Sequence, residues 1–569
     1  MADDSREGPQ HENGDRRHRA GQKPGMSLTE TLSRGLKRLT FRTPVHKLRL
    51  RGRYPLQLLD VPADPIPGSA GAGRALLDGK IAAAGESIAF EALDRGGFAP
   101  AFADHWHSFA WLRDLSSAVE RRGAAPIAER LARQWLATHA RTVSEPAWRP
   151  DLWGRRILFW TAYAPFILDT RDGEYRKDVL NTLARGARHL DTAADTAPQG
   201  LPRVTAWAGV IAAGLLFPGG DLRTAHGEAG MTRALALAVH GDGGLISRSP
   251  TEQLALVELL AQLRSVYEVR ARPPAGAITL ALAQAVPVLA SAMLGDGGLS
   301  SWQGGGPASA KRIAAVLAAV NFRGGPRDDA RDWGYQGITS GQTRLIMDVA
   351  PPPAAALSRG AGASTLAFEM SDGAHRLVVN CGGSAGLPAD LARGLRTTAA
   401  HSTLVLAETN STAIHPDGSM GRGVTEVELA RSETPEASRI EAAHDGYVKR
   451  FGFSHRRRLA LTTDGRSLEG EDKLVPMGRK KPAAATPLAL WFHLAPDIEA
   501  VPTTDGQGAL LRPAEGTGWQ FRTRAGTLAL EDSLWVDGAG RPRPCKALVV
   551  ALETTETGVT IPWSFRRVR

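Results

Sequence analysis

Cysteine is nearly absent from this chain, because its 569 residues include only Cys381 and Cys545. Two thiols exclude a disulfide framework and a cluster of thiolate metal ligands. Long apolar runs are missing as well. No stretch near the N-terminus reaches the roughly 7 to 15 residues of a signal-peptide core, and none reaches the roughly 18 needed to cross a bilayer. We therefore expect a soluble chain without an export signal.

Three common catalytic signatures are also missing. The patterns GxxxxGK[ST], G-x-S-x-G and H-E-x-x-H do not occur in a suitable context, which argues against nucleotide hydrolysis, serine hydrolysis and zincin chemistry. The formal charge of +10 is concentrated at one end, since residues 1–52 hold 12 Lys or Arg against 6 Asp or Glu. This polar stretch is typical of a disordered, solvated tail, and we expect no nucleic-acid partner.

Helical periodicity dominates residues 75–325, where apolar residues recur at spacings of three and four. Within this region HGDGGLISR (240–248) returns 54 residues later as LGDGGLSSW (294–302). Such a period fits a helical hairpin with its turns, and Asp-Gly-Gly supplies a tight turn or a loop that contacts substrate. An array of this kind closes as an α/α toroid or remains an open solenoid.

From residue 333 to 569 the texture changes to short alternating runs, such as 343–349 and 457–462, separated by Gly, Asp, Asn and Pro. Alternation with this punctuation is typical of antiparallel strands in a sandwich. The sequence therefore predicts an all-α domain followed by a large antiparallel β domain.

Several stretches together resemble the heparinase II/III family of polysaccharide lyases. They are HWHSFAWLRDL (105–115), GDGGLISRSP (241–250), STLAFEMSDGAHRLVVNCGG (364–383) and RTTAAHSTLVLAE (396–408). The resemblance implies an α/α toroid joined to a β-sandwich domain. It also implies cleavage of acidic polysaccharides by β-elimination.

The family's zinc-site and base-side positions are largely altered in this chain. Where the family carries a Gly-His-x-His-x-Asp motif, the two histidines fall on Gly360 and Gly362 and the aspartate on Ser364. The aspartate of a Val-Asp-x-Gly turn becomes Asn380. Of the three zinc positions only His401 keeps its ligand type, and one imidazole does not hold a metal that prefers four ligands. We therefore expect no metal and no cofactor, with His401 and Asn380 as remnants.

The helical half departs from the family as well. Gly200-Leu-Pro-Arg203 stands where family enzymes carry Asn-His, and Thr251-Glu252-Gln253 follows Ser249-Pro250 where a tyrosine is expected. Tyr267, further along the same predicted helix, is the candidate substitute as catalytic acid. Its alternative role is an aromatic of the core.

His401 and Arg396 are the remaining candidates for the chemistry. His401 is either a general base or carboxylate-binding group in the cleft between the domains, or a neutral imidazole that fixes a strand corner. Arg396 either grips a uronate carboxylate with two hydrogen bonds or ties its loop to an acid at the domain interface.

Four further side chains are candidate substrate contacts. Arg203 and Arg248 lie beside Gly or Pro at predicted helix ends, where they bind an acidic ligand or serve as structural cations. Trp106 and Trp207 stack on sugar rings or fill the helical core, since indole rings suit both roles.

The leading hypothesis is a carbon–oxygen lyase that cleaves an acidic, uronate-containing polysaccharide by β-elimination. The alternative is a catalytically inactive carbohydrate-binding or envelope-associated protein that retains the lyase fold, and a third is a metal-free lyase with a rearranged site. An acidic polysaccharide or oligosaccharide is the expected partner. The resemblance favours the cell envelope or periplasm, whereas the missing signal peptide favours the cytoplasm.

Overall fold

The computed structural model describes residues 16–19 and 43–568, apart from 53, 56, 483 and 484. Of the predicted basic tail 1–52, residues 1–15 and 20–42 lie outside the described residues. The described parts of that tail are a short strand, β1 (Arg16–Arg19), and a helix, α1 (Pro44–Arg49).

Helices fill the N-terminal half, together with one small hairpin of β2 (Lys80–Ala83) and β3 (Glu86–Ala89). After α1 the helices are Ala70–Leu77 (α2), Pro100–Ser108 (α3), Trp111–Ser116 (α4), Arg121–His139 (α5), Pro150–Ala162 (α6), Ala164–Ile167 (α7), Gly173–Ala193 (α8), Leu201–Leu216 (α9), Asp221–Ala238 (α10), Pro250–Val269 (α11), Gly276–Ser291 (α12) and Ala310–Ala319 (α13). None of the helices in the described part of the chain is long and apolar enough to cross a membrane.

Helix α9 is the centre of this helical domain. Nearly all of its residues are buried, and it contacts α6, α10 and α11. Two glycines allow the closest approach, because a Cβ at Gly154 in α6 would lie 2.1 Å from the Thr205 carbonyl oxygen and one at Gly209 would lie 2.5 Å from the Gly154 Cα. The backbones of α6 and α9 therefore touch where side chains would hold them apart.

Strands fill the C-terminal half. They are Tyr335–Ser340 (β4), Thr343–Asp348 (β5), Phe368–Asp372 (β6), His375–Val379 (β7), Leu404–Leu406 (β8), Glu426–Glu433 (β9), Ala437–His444 (β10), Phe453–Thr462 (β11), Ser467–Pro476 (β12), Pro487–Leu494 (β13), Ile498–Pro502 (β14), Gly508–Pro513 (β15), Trp519–Thr523 (β16), Thr527–Val536 (β17), Pro542–Glu553 (β18) and Val559–Arg567 (β19). Two short helices, Ala389–Gly394 (α14) and Val448–Phe451 (α15), lie between them.

These strands form two antiparallel sheets. One has the order β1-β9-β10-β11-β12-β19-β16-β15-β14, and the other has the order β17-β18-β13-β7-β6-β5-β4 with β8 paired to β13. Burial alternates along β11, as expected for a strand with one face on the core. Strand β5 is buried along its whole length, because Leu345 and Met347 pack in the sandwich core while Ile346 between them packs in the core of the helical domain. The second sheet thus carries the helical domain on its outer face.

The first Asp-Gly-Gly repeat docks the helical domain onto the β domain. One oxygen of Asp242 accepts a hydrogen bond from the Gly244 amide at 3.0 Å and so closes the turn. Its other oxygen accepts a hydrogen bond from the Trp333 amide at 2.9 Å. Arg248, at the end of the same repeat, is 4% exposed, donates to the Trp333 carbonyl at 2.8 Å and forms an ion pair with Asp348.

In the second Asp-Gly-Gly repeat the aspartate likewise closes its own turn and binds the β domain. Asp296 accepts a hydrogen bond from the Gly298 amide at 3.0 Å and binds the Arg376 guanidinium through both oxygens, at 2.7 and 2.9 Å. The Ser301 amide donates to the buried Glu369 carboxylate at 2.9 Å. Each aspartate therefore shapes its own turn and binds the β domain, so the repeat serves domain docking as well as turn geometry.

We predict that Asp348→Asn strongly destabilises the protein. The substitution leaves the buried Arg248 charge uncompensated, and breaking a buried ion pair in this way costs about 3 to 5 kcal/mol. Thermal unfolding at neutral pH measures the effect, with Asp532→Asn as a matched control because Asp532 pairs with Lys546 on the surface. Equal midpoints for the two variants would contradict the prediction.

Candidate functional site

His401 lies at the corner where the chain enters β8. A short 3-10 turn, Thr398–Ala400, precedes it, and its ring is 4% exposed. The Nδ1 atom is 2.7 Å from the Thr397 carbonyl oxygen, and since a carbonyl only accepts, Nδ1 carries the proton. On the other side of the ring, a Cβ at Gly362 would lie 3.0 Å from Cε1 and 3.1 Å from Nε2. The imidazole is therefore enclosed by its own loop and by the backbone of Gly362.

Burial lowers the pKa of His401 to about 4, so the ring is neutral at neutral pH. A general base works best with a pKa near the operating pH, which this imidazole lacks. The structure places His401 in the strand-corner arrangement, with no exposed edge for a polysaccharide.

The Arg396 side chain is committed to backbone carbonyls. Its guanidinium donates to the carbonyl oxygens of Ala361 at 2.5 Å, Ser358 at 3.0 Å and Gly418 at 2.6 Å. These bonds tie the loop before β6 to the loop before β9. The predicted partner of Arg396 was an acid or a uronate, whereas the structure gives it three neutral acceptors.

At the other positions that the resemblance assigns to the zinc site and its motif, the polar side chains form hydrogen bonds with residues of this protein. Asn380 donates through Nδ2 to Glu369 at 3.1 Å and accepts a hydrogen bond from the Ser402 amide at 2.9 Å. Ser364 donates to Asp348 at 2.6 Å, and Gly362 has no ligand atom in its side chain. The residues therefore do not fit a zinc ion, and nowhere in the described ranges do three His, Cys, Asp or Glu side chains form a metal-binding group.

Tyr267 and Arg203 lie inside the helical domain. The Tyr267 side chain is 1% exposed and donates its hydroxyl to Glu228 at 2.7 Å, and burial raises its pKa further above the usual range. Arg203 is 7% exposed and donates to the Ala197 carbonyl oxygen at 2.9 and 3.1 Å. Arg248 is the docking residue described above, so all three side chains are held by the protein itself.

Trp106 and Trp207 are core residues in the structure. Trp106 is 1% exposed and lies against Phe109 and Trp111, with ring centroids 6.0 and 6.2 Å apart. Trp207 is 2% exposed and donates its indole N–H to Asp195 at 3.0 Å. The predicted stacking on sugars needs an exposed ring face, and neither indole has one.

A charged cluster in the helical domain is the group that sequence reasoning missed. It brings together side chains from α3, α4, α6, α11 and α13, and we call it the helical charge cluster: His105, Asp114, Arg155, Glu252, Glu258 and Arg312. Arg312 binds Glu258 with two hydrogen bonds at 2.5 and 2.7 Å. Glu252 lies in the first turn of α11, close behind the docking residue Arg248, so the cluster reaches the domain interface.

Arg155 is the least neutralised member of this cluster. Among the described residues it has no ion-pair partner within 4 Å, although Glu258, Asp151 and Glu252 are close enough to interact with it electrostatically. Desolvation lowers the pKa of the Arg155 guanidinium, and burial together with the charges of Arg155 and Arg312 lowers the pKa of His105 to about 4. A half-buried cation of this kind suits a carboxylate or sulfate ligand.

Glu252 is solvent-exposed, yet burial raises the pKa of its carboxyl group. Glu252 lies two residues after Ser249-Pro250, in the segment where the resemblance implies a tyrosine, so its position is the one sequence signal for this cluster. Arg155 and Arg312 lie in no sequence motif that indicates a functional site.

Comparisons with known proteins agree with this architecture. Residues 323–564 match the family model described as Heparinase II/III-like, C-terminal. The crystal structure of Heparinase III matches with a TM-score of 0.69 at 13% identity, covering 97% of this chain and 93% of that one. Heparan sulfate lyase HepC from Pedobacter heparinus matches with a TM-score of 0.59 at 14% identity, covering 97% and 92%. These matches confirm the predicted fold, a helical domain followed by an antiparallel β domain.

Two further similar proteins are a polysaccharide lyase and a protein named for its localisation with FtsZ. Chondroitin AC lyase of Streptomyces coelicolor A3, in complex with chondroitin sulphate, matches with a TM-score of 0.52 at 11% identity, covering 93% of this chain and 80% of that one. FtsZ-localized protein C of Caulobacter vibrioides is 29% identical over 551 residues, which is 92% of each chain. The lyases share the fold at low identity, whereas the Caulobacter protein shares sequence along nearly the whole length.

We predict that His401→Gln reduces the pH dependence of stability between pH 6.5 and 4, while other buried histidines such as His105 and His493 maintain the rest of it. In that window an unfolded histidine binds a proton that the folded ring does not, so stability falls as the pH is lowered. The lowered pKa of His401 accounts for at most about 3 kcal/mol of this loss. Unfolding midpoints measured across the window test this, with the exposed His415→Gln as control. An unchanged pH slope in His401→Gln would contradict the enclosed, neutral imidazole.

Proposed function

We propose that this chain, whose residues 323–564 match the Heparinase II/III-like C-terminal model, uses the lyase fold without lyase chemistry, as a binding protein that localises with FtsZ. The residues at the family's chemical positions are the observation that carries this proposal. Gly360, Gly362, Ser364 and Asn380 replace the expected histidines and carboxylates, and the single histidine that remains is enclosed.

β-Elimination requires three catalytic roles from the side chains of a protein. A base must remove the C5 proton of the uronate, donors must neutralise its carboxylate, and an acid must protonate the leaving oxygen. His401 is neutral and buried, Arg396 is bound to carbonyls, and the Tyr267 hydroxyl is held by Glu228 inside the helical domain. None of these three side chains is available for these catalytic roles, which favours a role in binding.

The Caulobacter relative supplies the partner in this proposal. Its identity of 29% extends over 92% of both chains, so the sequence similarity includes both domains and not one domain alone. A role beside FtsZ assigns this protein to the side of the membrane on which FtsZ assembles, instead of the periplasm. The free thiols of Cys381 and Cys545 are compatible with a reducing compartment.

We predict that the purified full-length chain sediments with polymers of FtsZ from the same organism. The fraction in the pellet should rise with the amount of polymer and fall to background when FtsZ is kept unassembled. A fluorescent fusion should collect in living cells where FtsZ does. Protein that stays in the supernatant at every FtsZ concentration, with diffuse fluorescence in cells, would overturn the proposal.

The second candidate is β-elimination on a uronate-containing polysaccharide, and the helical charge cluster is the observation that favours it. Arg155 has charge to offer a carboxylate, and Glu252 beside it is a carboxyl group whose raised pKa suits proton transfer. The cluster lies near the domain interface, because Glu252 follows the docking residue Arg248 by four positions. This candidate needs Glu252 and Arg155 to replace the residues that the family normally uses.

A further inference from the structure

A pocket of about 410 Å³ with a mixed polar and apolar lining lies in the β domain, apart from the helical charge cluster and from every residue considered above for the chemistry. The turn between β6 and β7 forms one wall, the loop between β15 and β16 forms another, and the end of β19 closes the third. We infer that this pocket binds a neutral, hydroxyl-rich small molecule of the sugar or polyol class. The inference goes beyond the role with FtsZ and does not depend on it.

Two glycines bend the walls around the pocket. Gly373 has a φ of 54° and Gly516 has a φ of 95°, and both values lie in the left-handed region that favours glycine. A Cβ at Gly516 would lie 3.2 Å from the His375 ring, so any side chain there would push the imidazole and narrow the pocket. The local sequence therefore keeps the space open between the two loops.

Asp372, the last residue of β6, lies at the floor of the pocket and is 7% exposed. Its Oδ2 atom accepts a hydrogen bond from the Trp519 indole N–H at 3.0 Å and is 3.2 Å from the Arg567 Nε. Its Oδ1 atom is buried and accepts no hydrogen bond from any described residue. Buried carboxylate oxygens in folded proteins nearly always accept one, so Asp372 keeps an unused acceptor just beneath the pocket lining.

The charges in the pocket favour a neutral ligand over an ion. Asp372 and Arg567 form an ion pair and cancel each other. The Gln342 amide and the Thr517 hydroxyl, which are also in the lining, supply donors and acceptors without a net charge. The volume falls within the roughly 300 to 1,000 Å³ of small-molecule sites. A compact molecule with several hydroxyl groups satisfies both the size and the balance of donors and acceptors.

The pocket also borders the second docking turn. The Gly295 amide of the helical domain donates to the Ser371 hydroxyl at 3.0 Å, directly before Asp372. A ligand held between the β6–β7 turn and the β15–β16 loop would therefore fix the element on which the helical domain rests. Ligand that binds the folded state raises the unfolding temperature by mass action, which gives a second readout.

Saturation-transfer NMR on the purified full-length chain tests the inference. The neutral probes are glucose, galactose and maltose, with glucuronate as the anionic probe and glucosamine as the cationic probe. We expect at least one neutral probe to bind and to raise the unfolding temperature. Asp372→Asn should weaken that binding at least tenfold, whereas Asp532→Asn, on the exposed surface of the same domain, should leave it unchanged.

Thr517→Val provides a second variant, because it removes a lining hydroxyl and one long hydrogen bond from Arg567 Nη2, at 3.4 Å, while both charged partners of the ion pair remain. It should weaken binding several-fold even if Asp372→Asn proves unstable. Three results would overturn the inference: no neutral probe binds, the binding ignores both variants, or glucuronate or glucosamine binds more tightly than the neutral probes. All are measured without FtsZ, so failure here leaves the proposed function standing, and failure to sediment with FtsZ leaves the pocket standing.

Discussion

The buried ion pair between Arg248 and Asp348 is the contact on which the arrangement of the two domains depends. Arg248 ends the first Asp-Gly-Gly repeat, with a left-handed φ of 57°, and its guanidinium also donates to carbonyl oxygens at the start of the β domain. Because the charge is buried, it is stable only while Asp348 and those carbonyls are in place. The contact therefore ties the segment directly before α11, which carries Glu252 in its first turn, to the β domain.

The polar residues of the altered family site belong to the same interface. Glu369 is fully buried, and burial raises its pKa, yet it accepts hydrogen bonds from the Ser301 amide and from Asn380. Asn380 in turn receives the Ser402 amide one residue after His401. In this chain, positions that hold a metal in family enzymes hold the domains and the strand corner together. Hydrogen bonds within the protein therefore stabilise the fold at positions where the resemblance implies chemistry.

Much of the fold could be predicted from the sequence, and the site could not. Local periodicity identified the helical and β halves, and the repeated Asp-Gly-Gly marked equivalent turns. The binding partners of those aspartates could not be predicted, because Trp333 and Arg376 are distant in sequence from Asp242 and Asp296. Arg155 could not be identified for the same reason, because its charged neighbours lie on several helices and form no sequence motif. Burial of Trp106, Trp207 and Tyr267 followed the ordinary tendency of aromatic residues to fill cores.

The most direct measurement of the central claim is the release of unsaturated product, followed by its ultraviolet absorbance, from a broad panel of uronate polymers. The lyase fold without lyase chemistry predicts no product above the buffer blank after long incubation at high protein concentration, for the natural chain and for Glu252→Gln and Arg155→Ala alike. Product that increases with protein concentration, and disappears in Glu252→Gln or Arg155→Ala while His415→Gln retains it, would contradict the account and establish the second candidate.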